Sequence, residues 1–410
     1  MHKTRYGISH WLDRYSEVHK VRNARFPRHK GNVDLDVAII GGGLTGCATA
    51  QAFAASGVRV GLVESDRIGQ GASANSTAFV MQEPDIDFQD LVTSFGLRAA
   101  RTIWEMTRRA ALDLPRVIRH LKIKCDLESQ DSVYLASDKV SGKRLRQEFD
   151  ARRKAGFQVR WLTADRVARE TNLRAEGAIR VSGNAEVDPY RLCLGLARSA
   201  VAHGATIFEQ SPVKRVRRFR NHVQLFTERG RITAGHVVVA LGDPTGLFKP
   251  LMRHFRRTHT YVVVTPPLGA RVCRELGRRN TMIWDTQEPY HYLRWTRDDR
   301  IVFGGADQAP TNPRRRKKVL IQRAGQLMYE LSTHYPVISG IQPDYAWDGP
   351  IVNTPDGLPY IGPHRNFPRH LFALGFGGNG LALGFLSSRI LLRHYLDEPA
   401  KGDDLFSFSR

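Results

Sequence analysis

The feature that most constrains the fold is a glycine-rich turn near the N-terminus, which lies between an apolar run and a stretch of small residues. Residues 36–40 read Asp-Val-Ala-Ile-Ile, residues 41–46 read Gly-Gly-Gly-Leu-Thr-Gly, and small side chains then recur at helical spacing. This order predicts a strand, a tight turn and a helix. Gly41 permits the turn, Gly43 lets backbone amides approach a pyrophosphate, and Gly46 lets the helix pack closely against the strand.

A second strand and a terminal carboxylate follow at the expected distance. Gly57 ends the predicted helix, residues 58–63 form an apolar β-rich run, and Glu64 comes directly after it. A carboxylate at this position accepts both ribose hydroxyls of an adenosine and repels a 2′-phosphate. Because strand, glycines, helix, second strand and acid fall in register, the sequence predicts a dinucleotide-binding domain.

The loop after the second strand distinguishes FAD from NAD. Residues 65–77 are mostly small or hydroxyl-bearing, which suits a backbone that passes along a long cofactor and donates several hydrogen bonds to it. This pattern favours FAD. The predicted contacts of the turn and the loop, beyond the glycines and the acid named above, are Leu44, Thr45, Ser65, Gly71, Ala72, Ser73, Ser76 and Thr77.

A second glycine-rich segment lies near the C-terminus. Residues 347–362 form a turn-rich segment, residues 370–375 predict a strand, and residues 376–384 read Phe-Gly-Gly-Asn-Gly-Leu-Ala-Leu-Gly before an apolar helix over 385–396. Glycines let a backbone approach a flat ring, and the positive end of a helix stabilises the charge that a reduced flavin carries.

Together these segments resemble the D-amino-acid-oxidase-like (DAO) family of FAD-dependent oxidoreductases, which includes glycine, sarcosine and glutamylputrescine oxidases. The resemblance rests on residues 36–46, Glu64, 71–78, 187–189, 237–242, 356–362 and 375–380. It implies an α/β fold in which a discontinuous Rossmann-type FAD-binding domain is joined to an α+β substrate domain with an antiparallel sheet. The implied FAD-binding ranges are 33–85, 175–249 and 343–410, the substrate-domain ranges are 86–174 and 250–342, and residues 1–32 are a basic extension.

The resemblance also implies an activity and further cofactor contacts. The implied reaction is oxidation of the CH–NH group of an amine or modified amino acid, with hydride transfer to flavin N5. The additional implied FAD contacts are Val213, Ala240, Gly242, Gly357, Gly375, Gly377, Gly378, Asn379, Gly380 and Leu381.

Sequence periodicity outlines the regions between these motifs. A helix is expected over 190–203, where Pro189 follows Asp188, and a helical region over 91–125. Strands are expected over 206–209, 213–219, 222–228, 289–295 and 301–305.

The aromatic strand over 289–295 is the candidate wall of the substrate pocket. Its two-residue period places Tyr290, Tyr292 and Arg294 on one face and His291 on the other, and all four are candidate catalytic residues. Aromatic faces shape an amine pocket, and Arg294 is a candidate partner for a substrate carboxylate. Ordinary aromatic packing with a solvated arginine is the alternative for this strand. Asn379 is expected near the flavin ring or, alternatively, as a cap of the last helix.

Departures from the family narrow the expected chemistry. Glycine-oxidase-like members carry a carboxylate-binding arginine where residues 349–352 read Gly-Pro-Ile-Val, and sarcosine-oxidase-like members carry a lysine where Ala382 stands. Simple α-amino acids are therefore disfavoured. A flavin-linking cysteine near residue 349 and a histidine in 71–78 are both missing, so FAD is expected to bind non-covalently. A lysine that assists oxygen in some oxidases is replaced near Val302, which leaves oxygen and quinone open as electron acceptors.

Charge and cysteine content bear on partners and location. Lys and Arg number 62 against 40 Asp and Glu, for a net charge of +22, and residues 1–32 alone carry eight basic and two acidic side chains. The other basic runs, 214–220, 253–257, 271–279 and 314–318, form no recognisable nucleic-acid-binding module. An anionic substrate or acidic partner suits this charge. A flavoprotein acting on an amine linked to nucleic acid and a membrane-peripheral dehydrogenase that reduces quinone stay open as alternatives.

The remaining expectations concern location and metal. The uncharged stretch over 37–58 is too rich in glycine and threonine to be a lipid-spanning segment, and the first thirty residues hold no apolar run of signal-peptide length. A cytoplasmic location is expected. The four cysteines, Cys47, Cys125, Cys193 and Cys273, are widely spaced, so reduced thiols and no metal site are expected.

Overall fold

The computed structural model describes residues 3–19, 26–244, 246–277 and 281–410. The described strands are β1 (Arg5–Tyr6), β2 (Gly31–Ile40), β3 (Val60–Val63), β4 (Phe79–Val80), β5 (Glu128–Leu135), β6 (Arg160–Thr163), β7 (Gly177–Glu186), β8 (Thr206–Phe208), β9 (Arg215–Arg218), β10 (Val223–Thr227), β11 (Gly230–Val239), β12 (Arg256–Val264), β13 (Thr281–Asp285), β14 (Tyr292–Trp295), β15 (Ile301–Gln308), β16 (Tyr345–Asn353), β17 (Tyr360–His364) and β18 (Phe367–Leu374). The described helices are α1 (His10–His19), α2 (Leu44–Ala55), α3 (Ala72–Asn75), α4 (Phe88–His120), α5 (Lys139–Lys154), α6 (Ala164–Thr171), α7 (Pro189–Ala202), α8 (Ala270–Glu275), α9 (Arg316–His334) and α10 (Gly380–Tyr395).

The first sheet is built around the predicted nucleotide-binding strands. Its order is β17-β18-β11-β2-β3-β8, and every pair along this path is parallel except the antiparallel β17–β18 pair. Residues 37–40 of β2 and all of β3 are buried, as expected of strands covered on both faces. The antiparallel hairpin β9–β10 extends the sheet from β11.

Three helices pack together beside this sheet. Helix α2 contacts both α7 and α10, and ten of its twelve residues are buried. Small residues allow such close packing on every side, which explains why α2 shows no polar face. Helix α7 begins as predicted, because the Asp188 carboxylate accepts a hydrogen bond from the Arg191 amide at 3.0 Å and Pro189 occupies the first turn.

The second sheet lies over the carboxyl ends of the first sheet's strands. Its order is β1-β16-β12-β15-β14-β13-β5-β7-β4, with β6 paired to β7. Pairing is antiparallel apart from β1–β16 and β13–β5. Its outer face carries α9, which packs against β12, β15 and β16 through Leu320, Ala324, Leu327 and Leu331.

Helix α4 is long but broken once and capped by a distant side chain. Gly96 adopts φ 77° and ψ 159°, a left-handed conformation that interrupts the helix. At its N-terminus, the amides of Phe88 and Gln89 donate to the Glu148 carboxylate of α5 at 2.7 and 3.0 Å. Glu148 thereby satisfies donors that have no partner within α4.

Most predicted elements are confirmed, with one clear exception. The turn-rich segment predicted over 347–362 contains most of β16, a nine-residue strand that lies between β1 and β12 in the second sheet. Strand β16 pairs antiparallel with β12 and parallel with β1, and this pairing outweighs its turn-forming composition. The strand predicted over 289–295 is shorter than expected, since β14 begins only at Tyr292.

The division into domains stays a prediction, although the sheets show how the strands are distributed. Strands β4, β7 and β16 fall within the predicted FAD-binding ranges 33–85, 175–249 and 343–410, yet they belong to the second sheet. Described residues of the N-terminal segment contact the second sheet and the core: β1 pairs with β16, and Trp11 of α1 is buried. The basic residues Lys20, Arg22, Arg25, Arg278 and Arg279 lie outside the described residues.

Candidate cofactor and substrate cavity

A cavity of about 810 Å³ lies between the two sheets. Its base is formed by loops that follow four parallel strands: 41–45 after β2, Glu64 after β3, 240–243 after β11 and 376–381 after β18. Ligands of open α/β sheets bind at this carboxyl edge.

The geometry of the first turn explains its glycines. Gly41 has φ 107°, and a Cβ there would lie 2.5 Å from the Ala240 carbonyl oxygen. A Cβ on Gly46 would lie 1.8 Å from the Gly41 carbonyl oxygen. Only glycine at these two positions allows so tight a turn. The tight turn leaves room above it for a pyrophosphate.

Glu64 lies at the edge of this turn and is held in place. Its Oε2 accepts from the Gly42 amide at 2.6 Å, and its Oε1 accepts from the Ser65 hydroxyl at 3.0 Å and the Asp66 amide at 2.8 Å. A carboxylate fixed beside the turn, at the end of β3, fits the ribose of an adenosine. These residues therefore fit an FAD molecule.

Two tryptophans and the start of α2 position the loop that contains α3. The indole of Trp11 donates to the Ser76 carbonyl at 2.9 Å, and that of Trp347 donates to the Asn75 carbonyl at 3.0 Å. The Ser73 hydroxyl accepts from the Leu44 amide at 2.9 Å, which joins the loop to the start of α2. The loop is thus held against the cavity from three sides.

The structure brings most of the predicted cofactor residues to one place. Those that line the cavity are Gly41, Gly43, Leu44, Thr45, Glu64, Gly71, Ala72, Ser73, Ser76, Thr77, Ala240, Gly242, Gly377, Gly378, Asn379, Gly380 and Leu381. Five others do not line it: Gly46 lies beneath the turn, Ser65 donates to Glu64, Val213 packs behind the first sheet, and Gly357 and Gly375 pack against Ile86 and Phe255.

Aromatic side chains of the second sheet form the facing wall. Tyr290 and Tyr292 line the cavity with their ring centroids 5.8 Å apart, and the Tyr292 hydroxyl lies 2.5 Å from the Thr260 hydroxyl. A Cβ on Gly304 would lie 2.1 Å from the Tyr292 ring, so this glycine makes room for it. Burial raises the pKa of Tyr292, which keeps its hydroxyl protonated.

Arg294 corrects one prediction. It shares the face of Tyr292 but does not line the cavity; it is 3% exposed and forms an ion pair with Glu186 at 3.0 Å. Its Nη1 donates to the carbonyls of Thr77 and Val187 at 2.9 Å each. Because its Nε and Nη1 are already bound and its side chain lies outside the cavity, Arg294 positions the cofactor loop and is not the predicted partner of a substrate carboxylate.

His291 corrects a second prediction. Its ring lies behind the wall, stacked on Phe303, with Nδ1 3.0 Å from Asp285 and Nε2 3.1 Å from Glu330. Burial disfavours its charged form, yet the two carboxylates raise the pKa of His291. His291 is therefore held by two carboxylates outside the cavity and is not a group that touches substrate.

Asn379 lines the cavity, and its side chain does not cap helix α10. It occupies the position before α10 without capping that helix through its side chain, and its amide donates to the Glu83 carbonyl at 3.3 Å. This contact joins the C-terminal glycine loop to residues 83–87.

Sequence reasoning missed the acidic residues 83–87, which follow β4 and read Glu-Pro-Asp-Ile-Asp. Asp85 accepts a hydrogen bond from the Gly378 amide at 2.5 Å. Burial raises the pKa of Asp85 to about 6, and the nearby Asp85 charge raises the pKa of Tyr290. The available signal was a run of three acids placed between a buried strand and a helix.

Arg152 joins this segment to a buried ion cluster. Its Nε lies 2.6 Å from Glu148, its Nη2 3.5 Å from Asp87 and its Nη1 3.8 Å from Glu83, and its guanidinium stacks over Trp104. Burial raises the pKa of Glu83, and the Arg152 charge opposes that rise. Glu83, Asp87 and Glu148 thus share Arg152 as an ion-pair partner.

Comparisons with known proteins agree on a family. Residues 36–393 match the family described as FAD dependent oxidoreductase (DAO). The probable oxidoreductase OrdL of Haemophilus influenzae is 25% identical, covering 90% of this chain and 83% of that protein. The gamma-glutamylputrescine oxidoreductase of Escherichia coli is 25% identical, covering 90% of this chain and 85% of that protein.

The fold is shared with solved structures. The glycine oxidase of Geobacillus kaustophilus superposes with a TM-score of 0.76 at 21% identity, covering 92% of this chain and 99% of that one. The predicted α/β fold, a Rossmann-type domain with a substrate domain that carries a mostly antiparallel sheet, is confirmed.

Proposed function

Because the chain belongs to the DAO family of FAD-dependent oxidoreductases, we propose that it oxidises the CH–NH group of an amine or a modified amino acid. The protein is an oxidoreductase that uses FAD. The two curated relatives above are an oxidoreductase and a gamma-glutamylputrescine oxidoreductase, and the second name denotes an amine-containing compound.

One observation carries this proposal: a single cavity joins the nucleotide-binding turn to an aromatic wall. Gly41 and Glu64 lie at its base, and Tyr290 and Tyr292 lie on its facing wall. A cofactor anchored at the base and an amine held at the wall would share one space, as a direct transfer between them requires.

The residues of the chain position both molecules. The segments at the base, 41–45, Glu64 and 71–77, would hold the dinucleotide, and 376–381 would lie at its ring. When bound, FAD supplies the acceptor for the hydride equivalent. Tyr290 and Tyr292 exclude water and present aromatic faces to the amine, and their raised pKa values keep both hydroxyls neutral.

The cysteines support non-covalent binding. Cys47, Cys125, Cys193 and Cys273 are all buried free thiols, and none of them is among the described residues that line the cavity. We therefore propose that FAD is released intact when the protein is denatured.

Anaerobic mixing of the purified protein with a panel of secondary amines, N-methyl amino acids and polyamines tests the activity. The proposal expects at least one amine to bleach the flavin absorbance in a saturable manner. A flavin that stays oxidised with every amine, in protein whose FAD is reduced by dithionite, would contradict it.

The electron acceptor and the location are separate proposals. Reoxidation of the bleached flavin by oxygen or by a soluble quinone analogue distinguishes an oxidase from a dehydrogenase. Within the described ranges, no helix has both the length and the apolar character needed to cross a bilayer. Cell fractionation tests the proposed cytoplasmic location. Turnover that needs an RNA-linked amine would favour the nucleic-acid alternative.

A further inference from the structure

The charge of the cavity is opposite to that of the chain. Among the described residues that line it, eight are Asp or Glu and four are Arg, whereas the chain as a whole carries a net charge of +22. One of the eight, Glu64, is committed to the turn and the predicted ribose. The remaining carboxylates still outnumber the cations in this space.

The arginines of the cavity are already neutralised. Arg67 pairs with Glu209 at 3.1 Å, Arg144 pairs with Asp90 at 3.0 Å, and Arg257 pairs with Asp243. The fourth, Arg152, belongs to the buried cluster with Glu83, Asp87 and Glu148 described above. None of the four is left as a dedicated partner for a substrate carboxylate, and residues 349–352 contribute no cation to the lining either.

Two carboxylates of the lining, in contrast, lack a full set of partners. Glu83 is 3% exposed; it has a long ion pair with Arg152, at 3.8 Å, and neither of its carboxylate oxygens has a hydrogen-bond partner among the described residues. Asp85 is half-buried, accepts one backbone hydrogen bond from Gly378 and faces Tyr290 and the carboxylate of Asp307, and it has no ion pair with a cation in the described part of the chain. Buried carboxylates without full partners gain most from a positively charged ligand.

Aromatic rings complete the surroundings of a cation. Tyr134 and Trp284 stack with centroids 5.2 Å apart, and both line the cavity together with Tyr290 and Tyr292. Burial, with a contribution from the nearby Asp87, raises the pKa of Tyr134, which places that ring close to the acidic segment 83–87. Aromatic faces attract ammonium groups.

We propose that the cavity selects amines that carry a second positive charge and no carboxylate, with Asp85 and Glu83 as the acceptors for the second ammonium group. The inference rests on the proposed amine oxidation and specifies its substrate class. A diamine or polyamine is recognised by this chemistry, and an α-amino acid is rejected because its carboxylate would face unbalanced negative charge.

Three N-methyl amines that differ only at the far end of the chain test the selection in the holoenzyme. They are N-methylputrescine with an ammonium group, N-methylbutylamine with a methyl group, and N-methyl-γ-aminobutyrate with a carboxylate. The half-saturating concentration for anaerobic flavin reduction should be at least about tenfold lower for the diamine than for the monoamine. It should be highest for the carboxylate. An equal or lower value for the carboxylate than for the diamine would overturn the inference and leave amine oxidation standing.

A binding measurement separates the two proposals. Butyltrimethylammonium and γ-butyrobetaine have no nitrogen lone pair, so their binding is followed by the change in the bound-flavin spectrum without turnover. The cation should bind at least about tenfold more tightly than its carboxylated counterpart. If no amine reduces the flavin but this order holds, the proposed reaction is wrong and the rejection of a carboxylate is right. The reverse order contradicts the selection.

Variants locate the effect at the acidic segment. Asp85→Asn should raise the half-saturating concentration of N-methylputrescine about tenfold and reduce its advantage over the monoamine. Asp113→Asn removes an exposed carboxylate of α4 that pairs with Arg116. This control should change neither the half-saturating concentration of N-methylputrescine nor its advantage over the monoamine. An unchanged diamine preference in folded Asp85→Asn would contradict the role of Asp85, and the panel with unmodified protein decides the selection if this variant fails to fold.

Discussion

Substitution of Gly46 by alanine tests how the first turn is built. The added Cβ would lie 1.8 Å from the Gly41 carbonyl oxygen, whereas carbon–oxygen contacts are normally no shorter than about 3.3 Å. The missing distance of about 1.5 Å can come only from movement of the turn or of α2, because the obstructing atom belongs to the backbone.

The magnitude follows from the packing. Extra volume in a close-packed core costs about 1–3 kcal/mol, and a rigid backbone obstacle places Gly46→Ala near the upper end. Alanine recovers about 0.5–1 kcal/mol in a helix, which leaves a net cost of about 2 kcal/mol. If the turn must pay this net cost of about 2 kcal/mol each time it adopts the FAD-binding conformation, the Kd for FAD rises about 30-fold.

Titration of the apoprotein with FAD, followed by flavin fluorescence, measures this change, and thermal unfolding of the apoprotein measures the structural cost. Gly325→Ala is the matched control, because Gly325 is exposed on α9 and its Cβ would meet nothing within 4 Å. The control should bind FAD normally and unfold at the same or a higher temperature. Gly46→Ala that binds FAD within about twofold of the unmodified protein would refute the reasoning about the turn.

Three further predictions concern charged groups. Glu64→Gln should weaken FAD binding about tenfold in the same titration, because a charge-assisted hydrogen bond contributes about 1.5 kcal/mol or more; unchanged affinity would contradict its role. Arg152→Met should lower the free energy of unfolding in urea by about 3–5 kcal/mol, whereas Arg116→Met at an exposed pair should lower it by less than about 1 kcal/mol. Asp85→Asn should stabilise the apoprotein at about pH 8 and not at about pH 4. The pKa of Asp85 is raised to about 6, so its ionisation destabilises the fold as pH rises through that value. A melting temperature of the variant that is unchanged at the higher pH would refute this last prediction.

The local part of the fold was readable from the sequence. The turn at 41–46, the hairpin β9–β10 and the start of α7 depend on neighbouring residues, and each is found within a few residues of the prediction. Glycine spacing, strand alternation and the Asp-Pro pair report on the same few residues that form these elements.

Strand β16 could not be read in the same way. Its sequence contains Asp348, Gly349 and Pro350, which favour turns, and it becomes a strand because β12 and β1 pair with it over long sequence separations. Pairing partners that lie 81 or more residues away in the chain leave no local signal.

In the candidate site, too, local features were readable from the sequence and long-range contacts were not. Strand periodicity correctly placed Tyr292 and Arg294 on one face, but it did not show that only the first reaches the cavity while the second meets Glu186. It is the fold that turns Asp85 toward Gly378, which is 293 residues away in the chain. Contacts of this kind decide which charged groups are free to meet a ligand, and they are set by topology.

The central claim is that the cavity between the sheets holds one non-covalent FAD. The most direct test is to denature the purified protein, remove the precipitated chain and quantify the flavin in each fraction. The structure predicts close to one FAD per chain, all of it in the supernatant. Folded protein that contains no flavin and binds none on addition of FAD, or flavin that remains attached to the precipitated chain, would contradict the claim.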